Sequence, residues 1–171
     1  QIIKRWHALI LEHQEDLARI ISTEQGKPIK EARGEVLYGA SYVEWFAEEA
    51  ARISGEIVAE SVPGRKMLVL KEPVGVVAAI TPWNYPLQVN LAKVLPALAT
   101  GNTVVLKPSE VAPLNAFVLA EVIEAAGLPP GVFNLVTGYG PVVGEVLASH
   151  PEVDMVSFTG STRAGKRVSE L

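Results

Sequence analysis

Cysteine is absent from all 171 residues. That absence excludes disulfides, thiolate-held metals and any cysteine nucleophile drawn from these residues. Histidine is scarce, and His7, His13 and His150 are scattered. The spacing of His7 and His13 does not put them on one helical face, so no metal site is expected. Basic charge is not in excess either. Lys and Arg number 15 against 19 Asp and Glu, a net charge of −4 with no basic stripe, which argues against nucleic acid as a partner. The longest apolar run, Val74 to Ile80, falls far short of the roughly 20 residues a membrane span needs. No signal peptide is visible, so no membrane partner and a cytoplasmic setting are expected. Gln1 opens inside a helical pattern, and both ends are expected to be cuts in a longer chain.

What the sequence does hold is apolar material. Hydrophobic residues make up 49 %, with 14 glycines besides, which is high for a free-standing domain. Part of the surface is therefore expected to face a partner or another part of the chain. Ile3, Trp6, Ile10, Leu17 and Ile21 recur at helical spacing and predict a helix over residues 3–22. Gly26 and Pro28 in "EQGKP" stop it. A second helix is predicted from Ile29 to Ile53, with Val36, Ala40, Val43 and Ala47 on one face. "EIVAESVPGRKMLVLKEP" reads as a hairpin around Pro63-Gly64. Residues 1–73 are thus a helical pair and a hairpin.

From Val74 the texture changes. "VGVVAAI" is a continuous apolar run, as a strand buried on both faces requires. A helix from Pro86 to Ala99 follows, with a kink expected at Pro96 and Gly101 closing it. Then come strand "TVVLKPS", helix "LNAFVLAEVIEAAG", strand "VFNLVTG", helix "VVGEVLASH", strand "MVSFTG" and a last helix. Alternating strands and helices predict an α/β fold with a doubly wound parallel sheet, Rossmann-like, over residues 74–171.

Four stretches invite a chemical reading. Gly160 to Lys166, "GSTRAGK", approaches a P-loop, but Arg167 stands where a hydroxyl must hold Mg²⁺. The plainer reading is a strand-to-helix turn in which Ser161 or Thr162 caps the helix, still able to attract an anion. "GYGPVVG", Gly138 to Gly144, has one residue too many for a dinucleotide fingerprint, and turn glycines account for it equally. In "ITPWNYP", Asn84 reads as a helix cap and Trp83 as core, or else the Asn84 amide serves a developing oxyanion. In "LKPSE", Lys107 and Glu110 are either a surface pair or the grip on two ribose hydroxyls.

Taken together and in order, "EQGKP", "PWNYP", "ALATGNTVVLKPSE", "GLPPGVFNLVTGYGPVVG" and "VSFTGST" make the sequence resemble the NAD(P)-dependent aldehyde dehydrogenase superfamily. The resemblance covers essentially the whole chain, as the N-terminal, cofactor-binding part of that subunit. "YVEWFAEEAARISGE" resembles the succinate-semialdehyde dehydrogenase branch. In the family a cysteine thiolate attacks the aldehyde, the thiohemiacetal passes hydride to the nicotinamide, and a glutamate activates the water that frees the carboxylic acid. The resemblance implies that Asn84 is the oxyanion donor and that Ile80, Pro82 and Trp83, with Asn84, line the channel for cofactor and substrate. It implies further that Lys107 and Glu110 contact the adenosine ribose, with Pro108 and Ser109 as the wall between. Gly140 and Pro141 would form the adenine pocket, and Gly160 and Ser161 the turn under the pyrophosphate. NAD is expected over NADP, a small aliphatic aldehyde such as succinate semialdehyde is the expected substrate, and a homodimer or homotetramer the expected assembly. The catalytic cysteine, the base glutamate and the segment completing the hairpin would lie beyond Leu171, so a fragment is expected. A stand-alone, non-catalytic nucleotide-binding module is the alternative.

Overall fold

The computed structural model describes residues 1–171. Its N-terminal part is three helices where the apolar spacing predicts two: α1 (Ile2–Glu12), α2 (Gln14–Gln25) and α3 (Ile29–Glu49). The break falls at His13 (φ −93°, ψ 15°). His13 N–H still donates to the Leu9 carbonyl at 3.0 Å, and Leu17 N–H to that of His13 at 3.0 Å. The buried stripe therefore runs on from Ile10 to Leu17 and Ile21 across the break, which hides it from periodicity. Gly26 ends α2 in the left-handed region (φ 75°), its N–H on the Ser22 carbonyl at 2.9 Å, as "EQGKP" predicts. Past Glu49 the chain tightens into a 3₁₀ turn, Ala50–Arg52, so α3 is shorter than expected.

The hairpin forms as predicted. Strands β1 (Glu56–Val58) and β2 (Met67–Val69) pair antiparallel with Ile57 opposite Leu68. All six residues are exposed. A two-stranded ribbon with no covered face is marginal by itself and offers both edges for pairing.

The rest winds as β3 (Val76–Ile80), α4 (Pro86–Ala99), β4 (Thr103–Lys107), α5 (Leu114–Ala125), β5 (Phe133–Leu135), α6 (Glu145–Ser149), β6 (Met155–Phe158) and α7 (Thr162–Glu170). One correction concerns "VVGEVLASH": its first three residues, Val142–Gly144, belong to a π-helical turn that starts at Gly140, and only Glu145–Ser149 is α-helical. Helix α4 is continuous through Pro96. The strands form one parallel sheet in the order β5-β4-β3-β6. Moving from β3 to β4 to β5 steps one way, so right-handed crossovers set α4 and α5 on one face; the return to β6 reverses the step and sets α6 on the other.

The core is the layer between α1–α3 and the sheet. Leu87, Leu91 and Leu95 of α4 are fully buried, against Val36 and Val43 of α3 below and Val104 and Leu106 of β4 above. Each such side chain contributes roughly 1.5–3 kcal/mol of burial. At Gly39 of α3 an added Cβ would come within 2.8 Å of the Leu91 side chain, so the two helices meet at a glycine. That close packing fixes where the N-terminus of α4, and the loop before it, must lie. Over on the α6–α7 side no residue of either helix is buried.

Candidate functional site

The sheet register decides which residues can meet. Ile80 pairs with Lys107 on one side and Phe158 on the other, so β3, β4 and β6 end at one level. The ladder carries on just past the strands: Thr81 N–H donates to the Lys107 carbonyl at 3.2 Å, and Thr159 N–H to that of Ile80 at 3.0 Å. "PWNYP", "KPSE" and "GST" therefore leave the sheet side by side at its carboxyl edge. The chain reverses direction across the sheet between β3 and β6, and open α/β sheets bind ligands at such a point.

A cleft of about 450 Å³ opens there. Ile80 and Phe158 form its strand-end wall, Gly140 and Pro141 one side, Arg163 and Arg167 of α7 the other. Arg167 grips Glu145 through two parallel bonds of 3.0 Å, tying α7 to α6. The Arg167 guanidinium holds the Glu145 carboxyl below its usual range.

Between Phe158 and α7 lies a turn of only Thr159–Ser161. The P-loop reading fails on this geometry. Gly165 N–H donates to the Ser161 carbonyl at 2.9 Å, so Gly165 and Lys166 are already helix, and no loop is left to wrap a phosphate. The capping reading holds: Ser161 Oγ accepts from Ala164 N–H at 3.2 Å. The N–H groups of Thr162 and Arg163, ahead of that cap, have no carbonyl one turn back within the helix and point toward any anion at its end. A Cβ added at Gly160 would fall 2.5 Å from the Phe158 ring, which would then have to shift.

Lys107 is no surface residue. It is 2 % exposed, and its Nζ donates to the Pro108 carbonyl at 2.9 Å and to Glu110 Oε2 at 3.1 Å. The other oxygen of Glu110 faces Gly140 N–H at 3.5 Å, which ties "KPSE" to "GYGP". Burial by itself would raise the Glu110 carboxyl; its own backbone N–H, the Lys107 ammonium and Gly140 N–H outweigh that and hold it below the ordinary value. Ser109 Oγ accepts from Val111 N–H at 3.2 Å and shapes the turn.

In "PWNYP" both plain readings are overturned. Trp83 is 50 % exposed rather than core. Asn84 is exposed, its side chain makes no hydrogen bond, and the flank of α4 supplies no side-chain cap. Pro82 is half-buried between them and the strand. The cap comes instead from Glu35, in the middle of α3: its Oε1 accepts from Leu87 N–H at 3.0 Å and Gln88 N–H at 3.3 Å. No local pattern points to that.

The cleft thus gathers Ile80, Gly140 and Pro141; Gly160 and Ser161 do not line it but lie in the turn between its Phe158 and Arg163, the Lys107–Glu110 pair joins it through Gly140, and Pro82, Trp83 and Asn84 stand at the same sheet edge outside it. Phe158, Arg163 and Arg167 were not read as site residues; the four-residue spacing of the two arginines on the last helix was the available signal. Lys93 of α4 reaches Ser157 Oγ of β6 at 3.1 Å, its ammonium pushed down by burial.

The model of the family described as "Aldehyde dehydrogenase family" matches residues 1–171. Mitochondrial succinate-semialdehyde dehydrogenase of Arabidopsis thaliana is 52 % identical over 168 residues, 98 % of this chain and 32 % of its own length. A solved Escherichia coli NADP-dependent enzyme superposes with a TM-score of 0.96 at 50 % identity, covering 99 % of this chain and 35 % of that one. A point mutant of betaine aldehyde dehydrogenase from Staphylococcus aureus, solved with NAD+, gives 0.96 at 40 % identity, with 99 % and 34 % covered. The chain spans about a third of the length of these relatives.

Proposed function

This chain belongs to the aldehyde dehydrogenase family, and we propose that it is the NAD(P)+-binding portion of an enzyme that oxidises an aldehyde to a carboxylic acid. The carrying observation is the convergence at one sheet edge of an anion-attracting helix end, a buried lysine paired with a solvent-facing glutamate, and an exposed amide. The residues fit a dinucleotide. The N-terminus of α7 suits the pyrophosphate, ionised Glu110 suits a ribose 2′-OH, and the cleft between α6 and α7 suits a flat base against Gly140 and Pro141. A bound nicotinamide would supply the hydride acceptor. Asn84, whose amide is free of intrachain bonds, would donate to the aldehyde oxygen as it gains charge. The nucleophilic thiolate and the base that activates water come from outside these residues, which hold no cysteine.

The substrate proposed is a small aliphatic aldehyde, with succinate semialdehyde the first to assay, in line with the name of the plant relative. NAD is proposed over NADP on the strength of Glu110, although one solved relative is NADP-dependent by name. The exposed hairpin is proposed as the pairing edge of a homodimer or homotetramer. Residues 1–73 then serve assembly and support, and 74–171 the cofactor.

Asn84→Ala in the full-length enzyme tests the proposal. Loss of one oxyanion donor should lower kcat by roughly 10²–10³-fold. Cofactor KM should hardly move. Near-normal turnover would sink the assignment.

A further inference from the structure

The N-terminus of α4 is held by charge that the sheet and its cleft do not account for. Glu35 Oε1 takes Leu87 and Gln88 N–H, and its Oε2 pairs with Lys27 Nζ. The same Nζ donates to the Asn84 backbone carbonyl at 2.7 Å and lies 4.0 Å from the centroid of the Tyr85 ring. The Glu35 side chain is wholly buried and that of Lys27 is 10 % exposed. Taking two charges out of water is costly even when they pair. A serine or aspartate at position 85 would have capped α4 locally with none of that cost. What the buried pair adds is a hold on Asn84 and Tyr85 before the helix as well as Leu87 and Gln88 inside it.

We propose that Lys27 and Glu35 are positioning residues for the reaction: by clamping the backbone on both sides of Tyr85 they fix where the Asn84 amide points. This rests on Asn84 being the oxyanion donor. Since no side-chain hydrogen bond holds that amide, the backbone clamp is what sets the position from which it reaches. A donor contributes most when it needs no reorganisation as charge develops, and a misplacement near 1 Å costs about a hundredfold in rate. Lys27, from the "EQGKP" turn, thereby acts on the chemistry through a carbonyl 57 residues away in sequence.

The experiment uses the full-length enzyme with Lys27→Met, Lys27→Arg, Asn84→Ala and the Lys27→Met/Asn84→Ala double variant. Measured are kcat, cofactor KM, melting temperature and hydrogen exchange over residues 81–88. Lys27→Met should lower kcat about tenfold to a hundredfold, leave cofactor KM within about twofold and speed exchange over 81–88. Lys27→Arg should recover most of the rate. In the Asn84→Ala background the Lys27 change should cost no more than about twofold further, because the group it aims is gone. A Lys27→Met enzyme that melts lower but keeps its kcat makes the pair a plain staple and overturns the inference, as does a full further loss in the double variant. Should the Met variant not fold, Lys27→Gln is read in the same way. A loss in Asn84→Ala without one in Lys27→Met strikes this inference alone. Normal turnover in Asn84→Ala strikes the oxyanion reading, and this inference with it.

Discussion

Glu110 keeps its charge in a place where burial works against it, because Lys107 and two backbone N–H groups face it. An ionised carboxylate there welcomes a ribose hydroxyl and repels a phosphate on the same carbon. At an effective dielectric near 20, like charges about 4 Å apart repel by roughly 4 kcal/mol, and even a third of that is about tenfold in preference. Lys107 opposes the effect, since a cation attracts the phosphate, but it already donates to the Pro108 carbonyl and to Glu110. The full-length enzyme should therefore favour NAD by about tenfold in kcat/KM, and Glu110→Ser should raise the NADP to NAD ratio by a similar factor. A wild type that uses NADP equally well, or a serine variant with an unchanged ratio, refutes the ribose contact. The two residue types and their spacing were legible in "LKPSE". That Lys107 is almost wholly buried was not, because burial depends on the neighbouring strand and on the Pro108–Glu110 turn folding back onto the ammonium.

At the scale of elements, α4 is the part on which the site hangs. Its outer end carries the "PWNYP" loop, while its length is locked between α3 and the sheet by Leu87, Leu91 and Leu95. Leu91 is the residue that meets Gly39 where the helices come closest. Leu91→Ala should cost about 2–5 kcal/mol of stability, read as a lower urea midpoint with little change in slope. A change below about 1 kcal/mol would mean the α3–α4 contact relaxes freely and is not the frame for the loop. Apolar spacing was enough to place α3, α4 and α5. It missed the break at His13, because the stripe crosses it unaltered, and it took Val142–Gly144, the end of the π-helical turn, for α-helix, because so few residues carry too little periodicity to separate the two.

For the molecule as a whole, one face of the sheet is covered by α4 and α5 and these by α1–α3, whereas α6 and α7 bury none of their residues. Trp45, Ile57, Leu68 and Leu70 are all more than half exposed. The high apolar content thus lies partly on the surface, as the composition predicts. The proposed chemistry also calls for a thiolate that these residues do not hold. Without a thiolate no thiohemiacetal forms and there is no species from which hydride can leave. The 171-residue chain by itself should form no aldehyde-dependent NADH above a blank, and formation at any sustained rate would overturn the scheme.

Much of this was written in the order of residues alone. Strand and helix alternate because a buried parallel strand must be continuously apolar and a covering helix must be apolar on one stripe, and both patterns are local. The turns at Gly26 and Pro63-Gly64 follow from residue type, and the family follows from motifs in a set order. What joins distant residues was decided only by folding. Register set Ile80 beside Lys107 and Phe158, the packing of α3 on α4 brought Glu35 to a helix N–H 52 residues on, and the return from β5 to β6 opened the cleft. Such contacts depend on which faces find each other when the layers close, and no stretch of sequence contains both partners.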